Sequence, residues 1–253
     1  MINLQLNQKS LKKPLMPKSE STRHPSNFTI DVLIPAFNEE NSVGKVIKDI
    51  PAFVRNIIVV NNNSNDDTKM VADAAGAIVL DEPQKGYGKA CLTGMDFIKN
   101  LKQQPDILVF LDADYSDYPE QMSEVIRPII EDGYDMVIGS RALGKRESGA
   151  MTLPQIFGNW LSTTLMYRIY GVKYSDLGPF RAIKWDKLKT LNMEDEDYGW
   201  TIEMQIKAAK SGLKTTEVPV DYRKRIGVSK VSGTVKGVFG AGWKILWTLW
   251  RYR

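Results

Sequence analysis

Cysteine and histidine are almost missing from this chain: Cys91 and His24 are the only ones in 253 residues. A single thiol excludes an internal disulfide, and one imidazole in a polar stretch leaves neither a His/Cys metal site nor a histidine-based triad. Any metal the protein uses must then sit on oxygen ligands. There is no run of roughly 18 apolar residues, the length a membrane span needs, and no apolar stretch follows the early lysines. Neither a transmembrane segment nor a signal peptide is expected, and the chain reads as cytoplasmic. No G-x-G-x-x-G follows any strand-like run, which disfavours a dehydrogenase.

Net charge is small in total and segregated in place. The formal net charge is +4, yet residues 1–27 carry five Lys/Arg against one Glu, and residues 222–253 carry eight against none. Between them 29 acids face 21 Lys/Arg. An acidic body with basic ends fits a metal-binding site beside an anion-facing or membrane-facing edge, and argues against a nucleic-acid partner.

Residues 1–27 are rich in Lys, Ser, Asn and Pro without sustained periodicity and read as a flexible basic arm. From Thr29 short apolar runs alternate with helix-like segments: TIDVLIPA, NIIVV, AIVLDE and DILVFLDAD, separated by NSVGKVIKDI, TKMVADAAG and KACLTGMDFIKNL. That alternation predicts an α/β single domain over residues 28–230, its sheet mostly parallel and covered by helices on both faces. The later half is less regular. MVIGSRA reads as a strand, PQIFGNWLSTTLMYRIYG as a helix, YSDLGPFRAI as a turn plus strand, WTIEMQIKAAKSG as a helix closed by Gly212, and EVPVDYRKR as a last extended segment.

Asp112-Ala113-Asp114 closes the apolar run Ile107 to Leu111. Two carboxylates two residues apart at a strand end can turn towards one hard cation, Mg²⁺ or Mn²⁺, and bridge it to a diphosphate; solvated turn aspartates are the competing account. Carboxyl ends of strands are where ligands gather in open α/β sheets.

The order and spacing of VLIPAFNEEN, IIVVNNNSNDDT, KGYGKA and FLDADYSDYPEQM resemble family 2 glycosyltransferases, which have the GT-A fold. DLGPFRAI, YGWTIEMQ and the RIGVSKVSG loop narrow the resemblance to dolichyl- or polyprenyl-phosphate hexose synthases. The resemblance implies an inverting hexosyl transfer from a nucleotide-sugar, UDP-glucose before GDP-mannose, to a lipid phosphate, with the metal on Asp112 and Asp114. It places Pro35, Ala36, Asn38, Glu39 and Asn61 around the base and ribose, and Lys85, Gly86, Lys89, Ala113, Arg225, Ser229 and Lys230 beside the nucleotide or its diphosphate. Asp176 and Arg181 fall where acceptor and donor sugar meet, and Glu203 at the donor sugar or as a general base, unless it is a helix-dipole partner. A phosphate acceptor is already an anion and needs no base. One departure stands out: the family's aspartate pair before Gly-Ser is here Asn61, Asn62, Asn63. Amides donate as well as accept, so the nucleobase preference is left open. A sugar-phosphate nucleotidyltransferase would need a glycine-rich loop that PAFNEEN lacks, and a binding protein without turnover is the third class.

Residues 231–253 read as a basic amphipathic helix. On a helical projection Lys236, Gly240, Lys244, Thr248 and Arg251 share an arc of about 120°, with Trp243 and Trp247 at its border. Tryptophans beside lysines suit peripheral contact with the cytoplasmic face of a membrane; packing on the protein's own core or on a second subunit, as in a homo-oligomer, is the alternative.

Overall fold

The computed structural model describes residues 25–227 and 235–253. Most of the expected arm lies outside these residues, as do Ser229 and Lys230; Pro25–Asn27 form one short 3-10 turn. Seven strands form one sheet: β1 (Ile30–Ala36), β2 (Asn56–Asn61), β3 (Ile78–Asp81), β4 (Ile107–Phe110), β5 (Met136–Ser140), β6 (Arg181–Lys184) and β7 (Thr215–Pro219). Their spatial order is β3-β2-β1-β4-β6-β5-β7. All neighbours are parallel except β6, which runs antiparallel between β4 and β5. The expected mostly parallel sheet is therefore observed, made mixed by β6.

Strand alternation decides which face each side chain feeds. Val32 and Ile34 of β1 and Ile107 and Val109 of β4 join one core, under α1 (Val43–Asp49), α2 (Thr68–Ala74) and α4 (Met122–Glu131). Leu33, Leu108 and Phe110 join the other. That second core lies beneath α3 (Tyr87–Lys99), α5 (Leu153–Tyr170), α6 (Trp185–Leu191), α7 (Trp200–Lys210) and α8 (Val235–Arg251). α3 sits close on β1 because Gly94 has no side chain: a Cβ there would lie 2.2 Å from a Leu33 methyl.

Two helices go beyond the pattern read in the sequence. α4 buries Val125, Ile126, Ile129 and Ile130 despite Pro128 in its interior, so packing overrides the helix-breaking tendency. α6 is a single buried strip, Trp185, Leu188 and Leu191. α5 starts on a reciprocal cap, the Thr152 N–H donating to Gln155 Oε1 at 2.8 Å, and ends at Gly171 with φ 71°.

The chain leaves β1 for β2 and β3 on one side and returns to β4 on the other. Loops after β1 and β4 thus diverge and open a crevice between them, the switch point where α/β sheets bind ligands.

Candidate active site

At this switch point lies a cleft of about 370 Å³. Pro35, Ala36 and Glu39 from the loop after β1 line it, as do Lys85 and Gly86 before α3, Asp112, Ala113 and Asp114 after β4, and Arg225. Nine residues picked from the sequence are thereby brought together. Phe37, Asn62, Tyr87, Ala90, Asp197 and Tyr198 complete the lining.

The two aspartates are not on extended strand. β4 ends at Phe110, and the pair stands on the turn that follows, with Tyr115 in the left-handed region at φ 62°. Asp114 shapes this turn: its Oδ1 accepts the Ser116 N–H at 2.8 Å and the Ser116 hydroxyl at 2.5 Å. Its Oδ2 is ion-paired with Arg225. Asp112 accepts the Tyr87 hydroxyl at 3.0 Å. Burial pushes the Asp112 carboxyl above its ordinary range, with the Arg225 charge and the Tyr87 hydrogen bond pulling it back.

The donor set fits a divalent ion. Both carboxylates are hard oxygen donors in one partly enclosed cleft, and the guanidinium on Asp114 marks the place where a cation is already favoured. Among the described residues no cluster of three or more His, Cys, Asp or Glu could hold a metal by itself. Two carboxylates would leave the remaining coordination positions to a ligand's oxygens, the arrangement usual for Mg²⁺ beside phosphates.

Arg225 is held by a strand-like lacing along the same turn. The Ile226 N–H donates to the Asp114 carbonyl at 3.0 Å and the Arg223 N–H to that of Ser116 at 2.9 Å, while Arg223 stacks 3.4 Å from the Tyr115 ring centre. Inside this turn lies Asp117, only 2% exposed, with no hydrogen-bond partner among the described residues on either carboxylate oxygen. Burial, then the charge of Asp112, pushes it up to about 7. The sequence reading passed over Asp117, although an acid three residues beyond the pair was a visible signal.

The glycines of the KGYGKA loop are required by the protein's own packing. A Cβ at Gly86 would lie 2.2 Å from the Glu196 carbonyl oxygen, and one at Gly88 1.9 Å from that of Asp195. The close approach these glycines permit is to the protein's own chain. Asn62 fastens the loop to the sheet: its Oδ1 accepts the Gly86 N–H at 2.8 Å while its Nδ2 donates to the Gln84 carbonyl at 2.7 Å. Only an amide can do both, which gives the departure from an aspartate pair a physical reason.

Other candidates lie behind or away from the cleft lining. Asn38, at φ 55°, donates its N–H to the Ser64 hydroxyl at 3.0 Å and accepts the Asn65 N–H at 2.8 Å. Asn61 donates to Asp81 at 3.0 Å. Lys89 pairs with Glu196 at 3.1 Å. Arg181 is fully buried and donates to the main-chain carbonyls of Gly178 at 3.0 Å, Thr201 at 2.9 Å and Leu177 at 3.1 Å. Burial lowers it to about 10. Glu203 is fully buried beneath the residues 194–195, whose N–H groups it accepts.

Asp176 belongs to a second cavity of about 320 Å³, together with Arg146, Met151, Ile156, Asn159 and Trp160. It accepts the Arg141 backbone N–H at 2.8 Å and both arms of the guanidinium at 2.8 and 2.7 Å. Burial alone would raise the Asp176 carboxyl, but Arg141 more than offsets this and leaves it below its ordinary value.

α8 packs against α5 and α7 through Leu249 and Thr248, with Lys244 on Asp195 at 3.0 Å and the Tyr170 hydroxyl on the Leu249 carbonyl at 2.9 Å. Its other side leaves Trp243 71% and Trp250 65% exposed, and on α5 Phe157 and Trp160 are exposed as well. Among the described residues no helix is long and apolar enough to cross a membrane.

Residues 31–191 match the family described as glycosyl transferase family 2. A dolichyl-phosphate hexose transferase of Haloferax volcanii is 30% identical over 215 residues, spanning 81% of this chain and 89% of the relative. An undecaprenyl-phosphate mannosyltransferase of Micrococcus luteus is 28% identical over 222 residues, covering 81% and 88%. Among solved structures, glucosyl-3-phosphoglycerate synthase from Mycobacterium tuberculosis, in complex with Mn²⁺, UDP and glucosyl-3-phosphoglycerate, superposes with a TM-score of 0.73. It is 21% identical, the match covering 96% of this chain and 86% of that one, a likeness of fold that agrees with the expected GT-A architecture.

Proposed function

The chain belongs to glycosyl transferase family 2, and on that premise we propose that it is a metal-dependent, inverting hexosyltransferase carrying a hexose from a nucleotide-sugar to a polyprenyl or dolichyl phosphate. UDP-glucose is the first donor to test and GDP-mannose the second. One observation carries this reading: Asp112 and Asp114 stand in a cleft at the sheet's switch point, facing Lys85, Gly86 and Arg225.

In this reading Asp112 and Asp114 hold Mg²⁺ or Mn²⁺, which when bound neutralises the charge that gathers on the departing diphosphate. Pro35, Ala36 and Glu39 border the nucleoside, and Lys85 and Arg225 add positive charge at the cleft wall. Asn38, Asn61 and Lys89 act one step back, by fixing the loops that carry the lining. Ser229 and Lys230 remain candidates for the diphosphate and lie outside the described residues.

The second cavity supports a lipid-phosphate acceptor. Arg146 supplies charge for an anionic head, and Met151, Ile156 and Trp160 supply apolar wall. Asp176 and Arg181 build this side of the molecule from within. The acceptor oxygen is already ionised, so positioning it in line with the anomeric carbon is the main demand on the protein. Exposed tryptophans on α8 and aromatic residues on α5 support peripheral contact with a membrane, where such an acceptor would reside.

The test is release of nucleoside diphosphate from UDP-glucose and GDP-mannose, each with Mn²⁺ and a polyprenyl phosphate, together with capture of the sugar in the lipid fraction. We expect release to require acceptor and to vanish with a chelator. Release without lipid labelling would overturn the acceptor, and no release from any nucleotide-sugar would overturn the enzyme.

A further inference from the structure

Asp197 and Tyr198 line the cleft from residues 194–199, an irregular stretch between α6 and α7. It is held from below by one acid. Glu203 accepts the Glu194 N–H at 3.0 Å and the Asp195 N–H at 2.8 Å, and its Oε1 also takes the Lys207 ammonium at 2.8 Å and the Tyr252 hydroxyl at 2.8 Å. With three donors on Oε1, one on Oε2 and no exposed surface, the carboxylate is engaged by its own chain and is not part of the cleft lining.

From there the contacts run to the cleft. Asp195 accepts the N–H groups of Asp197 at 2.8 Å and Gly199 at 3.1 Å, and the Glu196 carbonyl accepts the Lys89 N–H at 2.8 Å. The same two residues lie flush against Gly86 and Gly88. In the other direction Arg251 reaches Glu194 at 2.8 Å, and Lys210 donates to the Tyr252 carbonyl at 2.8 Å.

We propose that Glu203 is a positioning residue which, with Tyr252, pins the 194–198 wall against the glycine loop, so that the segment just after α8 sets how tightly the donor nucleotide is held. This rests on the cleft being the donor site.

Full-length protein carrying Glu203→Gln or Tyr252→Phe tests it. An amide in place of the carboxylate sets its NH₂ against a backbone N–H, so nucleoside diphosphate affinity with Mn²⁺, read by calorimetry, should weaken roughly tenfold. Tyr252→Phe loses only one neutral partner and should cost about threefold. Amide hydrogen exchange should quicken at residues 86–90 and 194–199, while acceptor KM and the shape of the pH profile stay as in the wild type. A collapse of kcat with donor affinity and exchange unchanged would make Glu203 a base and sink the proposal; so would a lowered Tm with neither affinity nor exchange altered. Should Glu203→Gln not fold, Tyr252→Phe carries the same measurements. If wild type binds neither UDP nor GDP the functional reading falls by itself, and exchange at 86–90 still decides whether the wall is pinned.

Discussion

Two acid-lined cavities in this protein treat their carboxylates in opposite ways. In the second cavity Asp176 is served on both oxygens by Arg141, at 2.7 and 2.8 Å, and is 1% exposed. In the cleft after β4, Asp112 keeps one hydroxyl partner, while Asp114 takes Ser116 on one oxygen and a guanidinium brought by a later segment on the other. A carboxylate fully matched by its own chain is a structural element, because removing its partner strands a buried charge. Asp112, with one partner in a cleft and beside a carboxylate that already draws a guanidinium, is a place for a cation from outside.

Breaking the matched pair should have the largest effect. Asp176→Ala leaves the Arg141 guanidinium buried and unpaired, and should destabilise by about 3–5 kcal/mol, seen as a fall in denaturant midpoint at unchanged m-value. An unchanged midpoint would mean that Arg141 finds another partner and that Asp176 is not structural.

Asp114→Ala should do the reverse. Lost metal-assisted stabilisation of the leaving group should cut transfer by roughly a hundred- to a thousandfold, while losing the Ser116 bonds costs about 1–2 kcal/mol of stability, less than Asp176→Ala. Equal losses of fold and activity in Asp114→Ala would erase the contrast between the two cavities.

Asp117 sharpens it, its carboxyl having neither an ion pair nor a hydrogen bond among the described residues. Its value near 7 in the folded protein, against 3.8 when free, means that the native state holds the extra proton between those limits. Stability should therefore fall as pH rises from about 4 to about 7, and Asp117→Asn should flatten that slope and gain about 1–3 kcal/mol at pH 8. A wild-type melting curve indifferent to pH over this window would contradict it.

Smallest is Asn62→Asp, which keeps the acceptor for Gly86 and loses the donor to Gln84. It should cost about 1–2 kcal/mol of stability and loosen the Lys85–Gly86 loop, read as a lowered Tm and weaker nucleotide binding.

The first half of the fold was legible because parallel strands buried on both faces write themselves as uninterrupted apolar runs, as in Ile107 to Leu111. α4 and α6 were not, since Pro128 argues locally against a helix that only burial of Ile126, Ile129 and Ile130 sustains. Within the site, Pro35, Ala36, Glu39, Lys85, Gly86, Asp112, Ala113, Asp114 and Arg225 meet as the motifs implied. Asp197 was given no role, although the acidic run from Glu194 to Asp197 just before α7 was a signal, and Tyr198 stood in YGWTIEMQ without one. Arg181 and Glu203, polar residues in motif-like surroundings, turned out to be fully buried, which no local pattern announces.

Residue order alone determined the alternation of strand and helix, the oxygen-only chemistry open to a metal, and the carboxylate pair at the end of the fourth run. Those follow from periodicity and residue type, which act over a few neighbours. Tertiary structure decided which charges are spent internally and which face a ligand, because that depends on partners such as Arg141 for Asp176, or Tyr252 for Glu203, that lie dozens of residues apart and meet only when the sheet is covered.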